Sequence, residues 1–355
     1  MAVNRTTLRL LDGMRVAMLA PVDATAAAVI RAWGAAWNEL AQEWDEALQD
    51  LVAASKDGRW PSRRQVTRAR RAQRAMATTR AALMDLAADL PVQVTQALPA
   101  MTADAVEWSN RITASQYPAQ AGSAAEVITT FDRVDDAALD AIVKRTTQQV
   151  TALSVPLSPQ AEQAMKSVLI RGIAVGDNPI EAAKLMLNRV EDAFNGGRNR
   201  ALVIARTEML SAHREAGWVQ DKANAEVLQG WQWVAALDSR TCPSCLAKHG
   251  TMHPVDEPGP YDHQQGRCAR LPVSKSWKDL GFDLEEPASI LPDSKAWFDR
   301  LPDEDQVAIM GKARLDLLRS GKVSWDDLTK KRTTPGWRDS WAPTSVKDLT
   351  KTTAA

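Results

Sequence analysis

The chain has 355 residues, enough for two domains and a substantial core. Its 44 basic and 44 acidic residues cancel, which excludes a general nucleic-acid coat, because that role needs net positive charge to displace counterions. Three cysteines are too few for a disulfide framework and suit a reducing cytosol, no charged-then-apolar leader opens the chain, and no apolar run is expected to reach the ~20 residues of a membrane helix. Synthesis in cytoplasm without membrane contact is the resulting expectation. Tryptophan (13) outnumbers Phe (4) and Tyr (2), so it is expected to fill the aromatic places of an Ala-rich helical core rather than to stack on bases.

Residues 1 to about 90 read as helical. Ile30, Trp33, Trp37, Leu40, Trp44, Ala47 and Leu51 alternate three and four apart, an a/d seam that needs a second helix against it. Trp60-Pro61-Ser62 signals the start of that partner, which should run to about Asp89 and close an antiparallel hairpin. The partner carries Arg59, Arg63, Arg64, Arg68, Arg70, Arg71, Arg74 and Arg80 with no acidic residue between the first and last. Such a helix can meet phosphate or an acidic protein rim, and a solvated charged face is the ordinary alternative. Arg63, Arg64, Arg68, Arg71 and Arg74 are the candidate contacts.

Pro91, Pro99 and Pro118 are expected to break the chain over 90–123, whose end, Tyr117 to Ser123, reads as a linker or an exposed excursion. Helices are predicted at 134–152, at 158–174 after Ser158-Pro159, and at 179–193 after a Gly176-Asp177-Asn178-Pro179 cap. Gly196-Gly197 should break the chain again before a long helix over 198–226. From Gly230 the period changes to two, so 229–237 is the best strand, with 269–273 a weaker partner. Short helices are expected at 292–299, 302–319 and 323–330, and the end from Pro343 should fray. The fold class is α+β, mainly α. The domain reading is 1–122 for the helical region with its basic arm, 123–335 for a second domain holding a Cys/His loop at 238–270, and 336–355 for a tail.

All three cysteines fall in that loop: Cys242-Pro-Ser-Cys245, then His263, then Cys268. Four such donors suit a tetrahedral zinc ion, and a site closed by protein on all sides would be structural. The intervening 246–262 segment is rich in Gly, Pro and Asp and cannot build its own core, so an ion would supply the cross-link. His249 and His253 are rival ligands. Reduced, buried, metal-free cysteines and a Cys242–Cys245 redox pair are the competing readings. A His-Asn-His nuclease is disfavoured, since no His follows His263 and no Asn lies in 269–290. No Gly-x4-Gly-Lys-Ser/Thr loop and no Gly-x-Ser-x-Gly elbow is present. No catalytic residue is nominated and no enzyme is expected.

Ala205-Arg206-Thr207-Glu208, Ala212, Ala216, Trp233, Asp238-Ser-Arg240-Thr-Cys242-Pro-Ser-Cys245, Gly250 and His263-Gln-Gln-Gly-Arg267-Cys268 follow one another in order. This set resembles the MuF-like, or phage head morphogenesis, family of minor capsid proteins, over roughly 155–335. The upstream 176–179 cap, the helix from Leu301-Pro302 to Gly311-Lys312 and Gly321-Lys322 look like that family too. Two departures stand out: the proline after the closing His is Gln264, and the first Cys of the family's Cys-Arg-Cys element is Gly266. The resemblance implies Arg206, Glu208, Asp238, Arg240 and Arg267 as structural motif residues and leaves at most Cys242, Cys245, His263 and Cys268 for a structural zinc. Arg206 and Glu208, two apart on a helix, cannot share a face; each should hold a different neighbour and fix the long helix against strand and knuckle. The resemblance further implies a low-copy structural protein of the capsid interior at the portal vertex, made in host cytoplasm. It would assist head assembly and genome delivery, with the portal protein, the major capsid or scaffold protein and packaged DNA as partners. A zinc-dependent nucleic-acid enzyme or head-carried effector, and a DNA-binding module using residues 59–80, are the alternatives.

Overall fold

The computed structural model describes residues 3–55, 60–172 and 179–352. Arg59 and the 176–178 part of the expected helix cap lie outside these residues. In chain order the elements are α1 (Arg5–Ala53), α2 (Arg63–Arg68), α3 (Arg70–Ala114), α4 (Ala124–Ile128), α5 (Asp136–Ser154), α6 (Leu157–Arg171) and α7 (Pro179–Ala223). After them come β1 (Leu228–Val234), α8 (Pro243–Lys248), β2 (Met252–His253) and β3 (Ala269–Ser274). The chain finishes with α9 (Ser294–Asp299), α10 (Asp303–Met310), α11 (Lys312–Arg319), β4 (Thr329–Arg332), β5 (Ser340–Pro343) and α12 (Val346–Thr352). The fold is α+β and mainly α, as the sequence predicts.

The elements build two compact units, one from 22–97 and 145–208, the other from 1–21, 98–144 and 209–355. In the first, α1 and α3 run antiparallel. The Trp44 indole donates to Thr79 Oγ1 at 2.8 Å, while Val29 and Trp33 border the same cleft as Leu86 and Leu90. The seam residues Trp33, Trp37, Leu40, Trp44, Ala47 and Leu51 are buried, and Trp33 and Trp37 close on Phe194 of α7 with ring centroids at 5.0 and 5.3 Å. Ile30 is the exception: it is exposed and Val29 takes its place. Ser62 forms the capping box of α2 with Gln65.

Three expected breaks are absent. Pro91 and Pro99 sit inside α3, each removing a helix hydrogen bond at roughly 3 kcal/mol. The helix persists because Leu83, Ala87, Leu90, Val94, Leu98, Met101 and Ala105 form an unbroken buried stripe. Gly196-Gly197 likewise lies within α7. A Cβ at Gly197 would overlap the Trp33 indole, so this glycine permits close packing and does not end the helix. The segment from Pro343 to residue 352 does not fray: β5 pairs with β4 and Leu349 of α12 is buried. Finally, α1 does contain a stretch apolar enough to cross a membrane by length and composition, with mean hydropathy 1.4, contrary to the sequence expectation. Met18, Val22, Ala26 and Val29 on that helix are buried by the protein itself.

The second unit holds a three-stranded antiparallel sheet in the order β2-β1-β3, with Trp231 opposite Pro272 and Trp233 opposite Arg270. Both tryptophans face a buried cluster containing Ala235, Cys245 and Cys268. On a neighbouring cluster, Val234, Ala269 and Leu271 pack with Leu11, Met14 and Ile112. Gln116 ties the end of α3's chain to β3, donating to Pro272 O at 2.8 Å and accepting from Ser274 N at 3.2 Å.

Candidate functional site

The site forms where the chain leaves β1. Asp238 organises the turn: its carboxylate accepts from Arg240 N at 2.9 Å and from both terminal nitrogens of Arg267 at 2.9 and 3.0 Å. This fork, mostly the hydrogen bonds from Arg267, holds the Asp238 carboxyl down at about 2. The turn delivers Cys242 as the N-cap of α8, with Pro243 at the first helical position and Sγ facing Cys245 N at 3.5 Å. One helical turn brings Cys245 back, and the two sulfurs lie 3.3 Å apart.

His263 approaches from the far side of the loop, its Nε2 3.5 Å from Cys245 Sγ. Its Nδ1 lies 2.9 Å from the Gln264 carbonyl. A proton on Nδ1 satisfies that contact and leaves Nε2 free to act as a donor to a metal. The Sγ atoms of Cys242 and Cys245 and a His263 ring nitrogen lie within 4.8 Å of one another. Cys268 is placed differently, in a second such group with Cys245 and Asp262. The hydrogen bond with Cys245 brings Cys242 down to about 5 and pushes Cys245 upward. His263 rises to about 9: burial opposes its charge, but the Cys242 contact and the Asp262 carboxylate outweigh it. A thiolate–imidazolium pair is the electrostatic state this geometry favours without a cation, and a divalent ion would replace the proton.

The rival histidines are engaged elsewhere. His249 Nδ1 accepts from Ala235 N at 3.1 Å and its Nε2 lies 2.9 Å from Pro292 O. His253 stacks on Trp231 with centroids 4.3 Å apart and contacts Thr251 and Glu257.

Arg206 faces Asp23 of α1 at 4.0 Å, and Glu208 is buried. The polar link from α7 to the closing segment comes from Arg214, two turns beyond Arg206. Its guanidinium is buried and donates to Cys268 O at 2.9 Å and Gly266 O at 2.6 Å, with Asp262 3.8 Å away. A second buried ion pair joins Asp221 of α7 to Arg270 of β3, and Ser109 donates to the same Asp221 at 2.6 Å. Sequence reasoning missed Arg214, Asp221, Asp262 and Arg270 as members of the site. Their only signal was a charged residue among apolar neighbours, as at Arg270 in β3, a strand buried throughout.

The basic helix lies in the other unit. Arg63, Arg64, Arg68, Arg70 and Arg74 are exposed, and no ion pair to them occurs among the described residues. Arg71 is shared between Glu46 and Asp50 at 3.3 and 3.1 Å.

Residues 163–270 match the family model described as Phage Mu protein F like protein. This stretch is MuF-like. It runs from α6 through the knuckle to the start of β3, and leaves 301–322 outside the match. The Mu-like prophage FluMu F protein of Haemophilus influenzae is 36% identical over 63 residues, 18% of this chain. The match spans 15% of that relative's length. No solved structure matches the chain.

Proposed function

We propose that the chain is a structural head morphogenesis protein of a tailed phage, a minor capsid component. It would act inside the head at the portal vertex and assist assembly and genome delivery, without enzymatic turnover. The MuF-like match over 163–270 carries this reading. In it the knuckle is a rigid clip. A structural zinc ion held by Cys242, Cys245 and His263, with a fourth donor from the closing segment, would cross-link the ends of a loop that has little apolar core of its own. The donor chemistry fits such an ion, since thiolates and a tautomer-fixed imidazole converge at ligand-like spacing. The exposed arginines of α2 and α3 would meet packaged DNA or an acidic rim of the portal, with the major capsid or scaffold protein as a further neighbour.

The test is assembly of heads with Cys242→Ala replacing the wild-type chain, alongside elemental analysis of the purified protein. About one zinc per chain, a lower melting temperature and fewer copies per head in the variant are expected. Normal incorporation and unchanged melting would overturn the clip. Replacing Arg68 and Arg74 with Glu should weaken binding to DNA or portal without changing the melting temperature, and binding assays with DNA alone and with portal protein alone separate the two partners.

A further inference from the structure

The position where the resemblance expects another cysteine is Gly266, and the structure supplies a reason. A Cβ on residue 266 would overlap the carboxylate of Asp262. That carboxylate is buried, and occupies the space beside the sulfurs that a residue-266 side chain would otherwise enter. Its Oδ1 lies 3.5 Å from Cys245 Sγ and 3.5 Å from His263 Nε2.

These separations have a chemical meaning. Zinc bonds of 2.0–2.3 Å in a tetrahedron place neighbouring donor atoms roughly 3.3–3.8 Å apart. Cys242 Sγ to Cys245 Sγ is 3.3 Å, and Cys245 Sγ to His263 Nε2 is 3.5 Å. With the two contacts of Asp262 Oδ1, four of the six edges of a tetrahedron are present at the right length. Cys245 belongs to two donor groups, one with Cys242 and His263 and the other with Asp262 and Cys268; what sets Asp262 apart from Cys268 is its further contact with His263 Nε2 at 3.5 Å. The Cys268 sulfur shares the buried cluster of Trp231 and Trp233 with that of Cys245.

We propose that Asp262 Oδ1, and not the Cys268 thiolate, is the fourth donor of a divalent zinc-type site formed with Cys242, Cys245 and His263. This rests on the clip reading above. Charge balance supports the assignment. Two thiolates, one carboxylate and a divalent ion sum to minus one, which the buried Arg214 guanidinium 3.8 Å from Asp262 offsets. A third thiolate beside the same carboxylate would leave a second, uncompensated buried charge. Backbone hydrogen bonds hold the donor in place: His263 N donates to Oδ1 at 2.8 Å and Cys268 N to Oδ2 at 3.1 Å. A carboxylate oxygen has lone pairs for both an N–H and a metal.

The experiment is X-ray absorption at the zinc edge on the purified full chain, with Cys268→Ser and Asp262→Asn in parallel. Two sulfur and two lighter scatterers are expected, unchanged in Cys268→Ser. Asp262→Asn should lower zinc affinity by at least ~10-fold. Three sulfurs in the wild type, with one lost in Cys268→Ser, would overturn the assignment and leave the clip standing. Absence of zinc from the wild-type chain after loading would overturn both. The sulfur count of the wild-type spectrum decides whether a third thiolate binds even if a variant fails to fold, and the zinc affinity of Asp262→Asn decides whether the carboxylate does.

Discussion

The hairpin of α1 and α3 and the knuckle around Cys242 are stabilised by opposite means. The hairpin buries repeated apolar side chains, each contributing a few kcal/mol, and its tryptophans share the work with Leu and Ala neighbours along a long seam. The knuckle is built from single-copy polar contacts, in which Asp238, Asp262, Arg214 and Arg270 each have named partners and no substitute. Damage to the first should therefore grade with volume removed, and damage to the second should depend on which partner is left unpaired.

The largest effects should come from one residue of each kind. Trp44→Ala empties a fully buried indole site and removes its hydrogen bond to Thr79, whose hydroxyl still donates to Ala75 O, and should cost about 3–5 kcal/mol by chemical denaturation. Asp221→Ala should cost a similar amount, about 3–5 kcal/mol, because Arg270 stays buried without its anion. The comparison sharpens with the double variant Asp221→Leu/Arg270→Met, which should recover most of that loss, whereas no second substitution nearby rescues Trp44→Ala. If the double variant is no more stable than Asp221→Ala, the knuckle's charges are not its governing feature.

Gly266→Ala comes next. Its methyl group collides with Asp262, and a melting curve should report about 1–3 kcal/mol of overpacking. A smaller effect lies on the helical side. Glu162 receives the Arg80 guanidinium at 2.6 and 2.8 Å and also pairs with Lys166, with Arg80 half exposed. The Arg80 hydrogen bonds are the leading cause of its carboxyl falling from an ordinary 4.5 to about 2. A depressed carboxylate stabilises the fold above its unfolded value and loses that contribution as pH falls toward 2. Glu162→Gln should therefore cost about 1 kcal/mol at neutral pH, and the gap from wild type should close in melts taken from pH 5 down to 2. Smallest of all, Ile30→Ser should stay within about 0.5 kcal/mol, while Val29→Ser one position away should not.

The two regions also differ in how far the sequence exposes them. The α1 seam was legible because period repeats itself, and an error at Ile30 is corrected by its neighbours. The breaks expected at Pro91, Pro99 and Gly196-Gly197 were misread because local propensity yielded to tertiary burial: the stripe from Leu83 to Ala105 and the Trp33 indole decide those positions. In the knuckle, the Cys-x-x-Cys spacing and the Asp238 turn could be read from local order alone. Arg214, Asp221 and Arg270 could not, because each partner lies about 50 residues away in the chain and no periodicity connects them.

The contact between Trp33 and Gly197 bears on the order in which α7 assembles. Two adjacent glycines in mid-helix favour the coil by roughly 2 kcal/mol relative to alanines, so the middle turn of this long helix has little reason to form by itself. Its flanks can nucleate separately. The junction should close only when the indole arrives from α1 and covers the bare backbone, making this turn a late event in folding. Hydrogen exchange can follow this directly: in Trp33→Ala, amides around 196–201 should lose protection ahead of those near 185 and 212. Equal protection along the helix would show that the junction forms without its cover.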